Sequence, residues 1–139
     1  IKKVIKEVNF PKDKIKVFGI EPHKKFNLLP NYDCGLVFIQ NGNWIKMSSP
    51  TKIGEYLAAG LHIVGLEGIN VLERLEKNTS CVDNLSQNFE NLNKEKIRKI
   101  LEKISDLGRK EKSFKLAKEF YDLNSALNKY TLLYENILN

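Results

Sequence analysis

Residues 48–67 read S-S-P-T-K-I-G-E-Y-L-A-A-G-L-H-I-V-G-L-E, and this stretch decides the fold. Its pattern is a capped helix, a glycine stop and a buried strand. Ser49 suits the cap, Pro50 the first helical position and Gly60 the stop, which predicts a helix over Ser49–Ala59. Leu61–Leu66 is a short apolar run of strand type. Lys52 falls in the first turn, where a cation opposes the helix dipole. An anion such as phosphate beside the free N–H groups accounts for a lysine there. Glu55, one turn on, shares that face and is suited to accept hydrogen bonds from hydroxyls.

Working outward, strands and helices alternate. Ile1–Val8 reads as the end of a helix and Asn9–Lys14 as a turn around Pro11. Ile15–Phe18 is a short strand ending at Gly19, and Lys24–Leu29 a short helix closed by Pro30. Cys34–Gln40 is apolar throughout, as expected of a strand covered on both faces. A polar loop over Asn41–Ser49 leads into the capped helix. After it come a helix over Ile69–Lys77 and a strand over Ser80–Asp83. Asn93–Leu107 places Ile97, Ile100, Leu101 and Ile104 at helical spacing, and Lys110–Tyr121 and Ser125–Leu138 are closing helices. Alternation of this kind predicts an α/β fold: one domain spanning residues 1–139, with a Rossmann-like, doubly wound parallel sheet of about four strands. Ligands of such sheets bind beyond the carboxyl ends of the strands. The loops there begin at Gly19, Gln40 and Gly65, and the helix start at Ser49 opens onto the same edge.

A chain of 139 residues is long enough to bury a core, and 42% hydrophobic residues is ordinary for a globular protein. No apolar run approaches the roughly 20 residues of a membrane span, and no signal peptide is visible. The net charge of +6 is compatible with nucleic acid, an anionic membrane surface or a phosphate-bearing ligand. The lysines are spread along the chain, so charge alone does not choose among these. Cys34 and Cys81 each fall in a predicted strand and read as buried free thiols.

The motif S-P-T-K-I-G-E-Y-L-A-A-G-L-H-I-V resembles the nucleotide-sugar-binding signature of retaining, group 1 family glycosyltransferases of the GT-B fold, commonly S-P-x-K-x-x-E-Y-x-A-x-G-x-P-V-[VI]. Two further stretches agree. Lys16–Ile39 is similar to that family's strand, its G-x-x-P-H-x-E-L helix and its following strand. Tyr121–Leu138 is similar to its closing helix. The resemblance implies the C-terminal, donor-binding half of such an enzyme, without the opening βαβ unit and the N-terminal acceptor domain. The whole enzyme would transfer a hexosyl group from an NDP-sugar to an acceptor glycan or lipid in polysaccharide or glycoconjugate biosynthesis. It would work in the cytoplasm, with peripheral association at the membrane surface within the family's range. No cofactor or metal is implied beyond the nucleotide-sugar co-substrate, and no nucleic acid is expected.

Residue by residue, the resemblance gives Glu55 the ribose hydroxyls. Ser48, Ser49, Thr51 and Lys52 meet the diphosphate, mainly through backbone N–H groups. Gly19 and Ile20 match the strand end where the base is recognised. Many members carry a second glutamate eight positions before the one matching Glu55. That position is Met47 here, which leaves the transferred sugar unspecified, and no catalytic residue is assigned within the chain.

Other candidates have plainer readings. A solvated Glu55 paired with Lys52 is the alternative to ribose binding, and helix capping is the alternative for Ser49. His23 and His62 show no metal-ligand spacing and read as structural. Tyr32 and Trp44 lack the basic-aromatic alternation of a nucleic-acid surface. Phe120, Tyr121, Tyr130 and Tyr134 read as core. Two other functions stay open: a non-catalytic nucleotide-binding or regulatory module of the same fold, and an unrelated basic Rossmann-like domain that binds nucleic acid.

Overall fold

The computed structural model describes residues 12–17, 19–39 and 50–138. It is a mixed α/β structure built on a parallel sheet. The elements are α1 (Lys25–Leu28), β1 (Cys34–Val37), α2 (Thr51–Ala58), β2 (His62–Leu66), α3 (Asn70–Asn78), β3 (Val82–Leu85), α4 (Lys94–Ile104), α5 (Arg109–Tyr121) and α6 (Leu123–Leu138). Short 3-10 turns, Pro22–Lys24 and Leu29–Asn31, flank α1. The strand order is β1-β2-β3 and both pairings are parallel. Cys34 lies opposite His62 and Val37 opposite Gly65; Ile63 lies opposite Val82 and Leu66 opposite Leu85.

Strand alternation sorts the core into two layers. Val37, Ile63 and Val82 face one side, where they meet Ile53 and Leu57 of α2, Leu72 and Leu75 of α3, and Leu116 and Ala117 of α5. Val64, Leu66 and Leu85 face the other, where Ile100 of α4 covers them. Every residue of β2 is buried, as an apolar central strand between two helical layers must be. Both crossover helices lie on one face, which strands added in one direction with crossovers of one hand require.

The helix–strand junction that decides the fold forms as its sequence directs. Gly60 sits at φ 77°, Leu61 N–H donates to Tyr56 O (2.9 Å) and Gly60 N–H to Leu57 O (3.0 Å). This is a Schellman closure, whose left-handed residue glycine adopts without a Cβ penalty. The next residue but one already belongs to β2.

Several expectations are corrected. Three strands, not four, pair among the described residues. Ile15–Val17 carries no strand, and Phe18 lies outside the described residues. A short apolar run becomes a strand only with a pairing partner, and no described residue pairs with the outer edge of β1. That strand ends at Val37 rather than Gln40 and is covered on one face only, leaving Leu36 56% exposed. β3 begins two residues later than predicted and includes two polar residues, Asp83 and Asn84. Their burial is possible because each has partners. Glu76 accepts from both the backbone N–H (2.8 Å) and Nδ2 (2.9 Å) of Asn84. Phe120 and Tyr121 pack against the core as expected. Tyr130 and Tyr134 do not: no residue of α6 is buried, and both rings are more than half exposed. The expected helix end over Ile1–Val8 lies outside the described residues. Among the described residues no helix is long and apolar enough to cross a membrane.

Gly35 sets how closely α2 approaches the sheet. A Cβ there would fall 2.3 Å from Cδ2 and 2.7 Å from Cγ of Tyr56, so the ring occupies the space that glycine leaves. Gly35→Ala is expected to cost about 2 kcal/mol, because the ring is pinned near its root and the helix must lift. Gly19→Ala is the control, since nothing lies within 4 Å of its added carbon. Urea denaturation of both variants measures the difference; equal midpoints would remove Tyr56 as the contact that sets this spacing.

Candidate functional site

Topology places the start of α2 at the carboxyl edge of the sheet, where the chain returns after β1. The helix begins at Thr51 with Pro50 in the cap position, each one residue later than predicted, and no side chain caps it. Proline leaves the first N–H groups without a capping side chain, and the first turn carries no acid. Lys52 stands in that turn as expected and is exposed, as is Thr51. Ser48, Ser49, Trp44 and Met47 lie outside the described residues.

Glu55 lies one turn further along and is half-buried. Its carboxylate pairs with Lys25 rather than with Lys52. Lys25 Nζ donates to Glu55 Oε1 at 2.5 Å, and the two side chains are 31% and 23% exposed. The contact bridges elements 30 residues apart in sequence. The same ammonium stands 5.0 Å from the centre of the Phe26 ring. Sequence reasoning missed Lys25, although one signal was present. It occupies the acidic position of the G-x-x-P-H-x-E-L pattern, and a cation there suits a carboxylate across the groove.

An open groove of about 430 Å³ runs along α2 between α1 and α5. Phe26, Thr51, Gly54, Glu55, Phe114 and Tyr121 line it. Gly54 lets α5 close on α2, for a Cβ there would meet the Tyr121 ring at 2.9 Å. The Tyr121 hydroxyl is buried without a partner among the described residues.

Gly19 and Ile20 are not brought to this groove. Ile20 borders a separate hollow with Lys24, Asn27 and Leu28. Gly19 is exposed and adopts no left-handed conformation, so neither close approach nor an unusual dihedral calls for glycine there. Tyr32 is also exposed. His23 is exposed and pairs locally with Glu21 at 3.3 Å.

Cys34 and Cys81 are free, the latter buried and the former half-buried, where burial pushes its thiol pKa up. Among the described residues no three metal-ligating side chains cluster. Comparison of the chain with family models, with curated proteins and with solved structures gave no match.

His62 lies on the opposite face, fully buried at the start of β2. Its Nε2–H donates to Asp83 Oδ2 at 2.9 Å, and Lys103 Nζ donates to Asp83 Oδ1 at 2.7 Å. Lys96 approaches the same oxygen at 3.8 Å. The pair is held within the α4 layer, away from the groove, and reads as structure. Burial pushes the Asp83 carboxyl up, but the hydrogen bonds from His62 and Lys103 outweigh it and hold the pKa below the ordinary value. A carboxyl depressed on folding adds stability that is complete above its unfolded pKa, near 3.9, and is lost as pH falls through the folded value. Asp83→Asn is therefore expected to cost about 3 kcal/mol at pH 7, with the deficit shrinking below about pH 4. Urea melts of both proteins at pH 7 and pH 3 provide the check, and a deficit independent of pH would show that the charge is not what stabilises.

Proposed function

We propose that this chain is the nucleotide-sugar donor-binding domain of a retaining, GT-B-type glycosyltransferase of the group 1 family. One observation carries the reading. The acid-free start of α2, with exposed Thr51, and the half-buried carboxylate of Glu55 lie along one open groove, and exposed Lys52 stands in the same first turn. A nucleoside diphosphate presents the complement: anionic oxygens for N–H groups and an ammonium, and a vicinal diol for a carboxylate. The strand order supports the finer fold assignment. Three parallel strands in sequential order match positions 4-5-6 of the doubly wound order 3-2-1-4-5-6. In that arrangement the free edge of β1 is where strand 1 would pair.

In this reading Glu55 accepts from the two ribose hydroxyls and fixes the nucleoside. The first N–H groups of α2, the Thr51 hydroxyl and Lys52 receive the diphosphate. As the bond between sugar and diphosphate breaks, negative charge grows on the departing oxygen, and donors already in place stabilise it without reorganising. The acceptor and the opposite wall of the cleft belong to a partner domain. Two free cysteines agree with a reducing, cytoplasmic setting.

Glu55→Gln tests the assignment. It keeps the shape of the side chain but replaces an acceptor by a donor and removes the charge. Affinity for the best-bound of UDP, ADP and GDP is expected to fall about ten- to hundredfold by calorimetry. Stability is expected to fall by only about 1 kcal/mol, the scale of a partly exposed ion pair. Unchanged affinity together with a large drop in melting temperature would make Glu55 a structural residue.

A further inference from the structure

We propose that Lys25 changes partner when a nucleoside diphosphate binds, leaving Glu55 for the diphosphate. The inference rests on the nucleotide reading of the groove. It starts from a conflict in the geometry. The carboxylate that would receive the ribose hydroxyls is already engaged by an ammonium at 2.5 Å, with both groups largely covered. Coulomb attraction between such groups is only weakly screened by salt. A ribose that takes both Glu55 oxygens must therefore displace the cation or share the carboxylate with it.

Lys25 is equipped to move. Its ammonium ends a four-carbon stem with several rotatable bonds and offers three donors of no fixed orientation. It arises from α1, a single turn bounded by 3-10 turns. The neighbouring Phe26 ring gives the cation an attractive face along the way. Its present partner and the helix start that would hold the diphosphate lie one turn apart on α2. Two neighbouring cations differ. Lys24 is committed to Glu21 at 3.0 Å. Lys52 has no partner among the described residues and already stands at the helix start, so it needs no exchange.

Charge balance then couples the two halves of the ligand. In the free protein Glu55 neutralises Lys25. In the complex the ribose hydroxyls satisfy Glu55, and the diphosphate neutralises Lys25. A nucleoside without phosphate breaks the ion pair and supplies no new anion, so it binds against Lys25. A nucleoside diphosphate binds with its help. The ribose and diphosphate contacts therefore strengthen one another, and Lys25 carries that coupling.

Calorimetric titration of the full chain and of Lys25→Met with UDP, ADP and GDP, and with uridine, adenosine and guanosine, tests this. Lys25→Met keeps most of the stem and removes the charge. For the preferred base, it is expected to weaken diphosphate binding about tenfold. Nucleoside binding should become tighter, so the gap between the two ligands narrows. Lys25→Gln should behave alike, and melting curves of both variants establish that they fold. A gap unchanged in the variants would make Lys25 a fixed counter-ion and overturn the exchange, leaving the nucleotide reading intact. Failure of the unsubstituted chain to bind any of the three diphosphates would overturn the nucleotide reading, and the exchange with it.

Discussion

The seating of α2 on the sheet is the contact on which the rest depends. Ile53 and Leu57 are fully buried against the sheet, and Tyr56 fills the space over Gly35. From that seat α5 takes its place through Gly54 and Tyr121, adding Leu116 and Ala117 to the same core. The groove is what remains where α1 and α5 meet the exposed side of α2. One helix thus serves two roles by its two faces. Ile53 and Leu57 hold it down, and Thr51 and Glu55 look outward from between them. The spacing of three and four residues that makes a helix amphipathic makes this division possible.

The two sides of the sheet are stabilised differently. The α2–α3–α5 side is a continuous apolar layer. The α4 side carries a smaller apolar patch beside the His62–Asp83–Lys103 cluster. Removing such charges from water is costly, and only mutual hydrogen bonding offsets the cost. The cluster therefore ties α4 to β2 and β3 at a specific register, which a purely apolar patch would fix less strictly. Arg109, buried at the start of α5, donates to Asp33, the residue before β1, at 3.0 Å.

What the sequence disclosed follows from the range of the interactions involved. The α2–β2 unit was legible because its signals are local: a glycine at the stop and a nearly continuous apolar run. The α4 helix was legible from period alone. Long-range partners were not. Asn84 fell outside the strand expected over Ser80–Asp83, and Glu76 of α3 supplies the hydrogen bonds that let it join β3. Ile15–Phe18 looked like a strand, but composition does not provide an edge to pair with. Thr51 and Glu55 line one groove because they share a helix face, and Lys52 stands in the same first turn. Gly19 and Ile20 did not join them, and Lys25 did. Each outcome depended on how α1 docks, which nothing in the local sequence specifies.

The Schellman closure at Gly60 has a consequence for how such a chain can vary in length. It joins α2 to β2 with no slack, and β2 is buried on both faces. A codon gained or lost between Glu55 and Gly60 would turn Glu55 by about 100° and slide it about 1.5 Å along the helix axis. The carboxylate would leave the groove, and Ile53, on the same stretch of helix, would turn away from the sheet with it. The loop over residues 86–93 could absorb the same change without moving the groove. Insertions and deletions should therefore be purged from one short window of the gene and tolerated in the other, even where substitutions in both are equally mild.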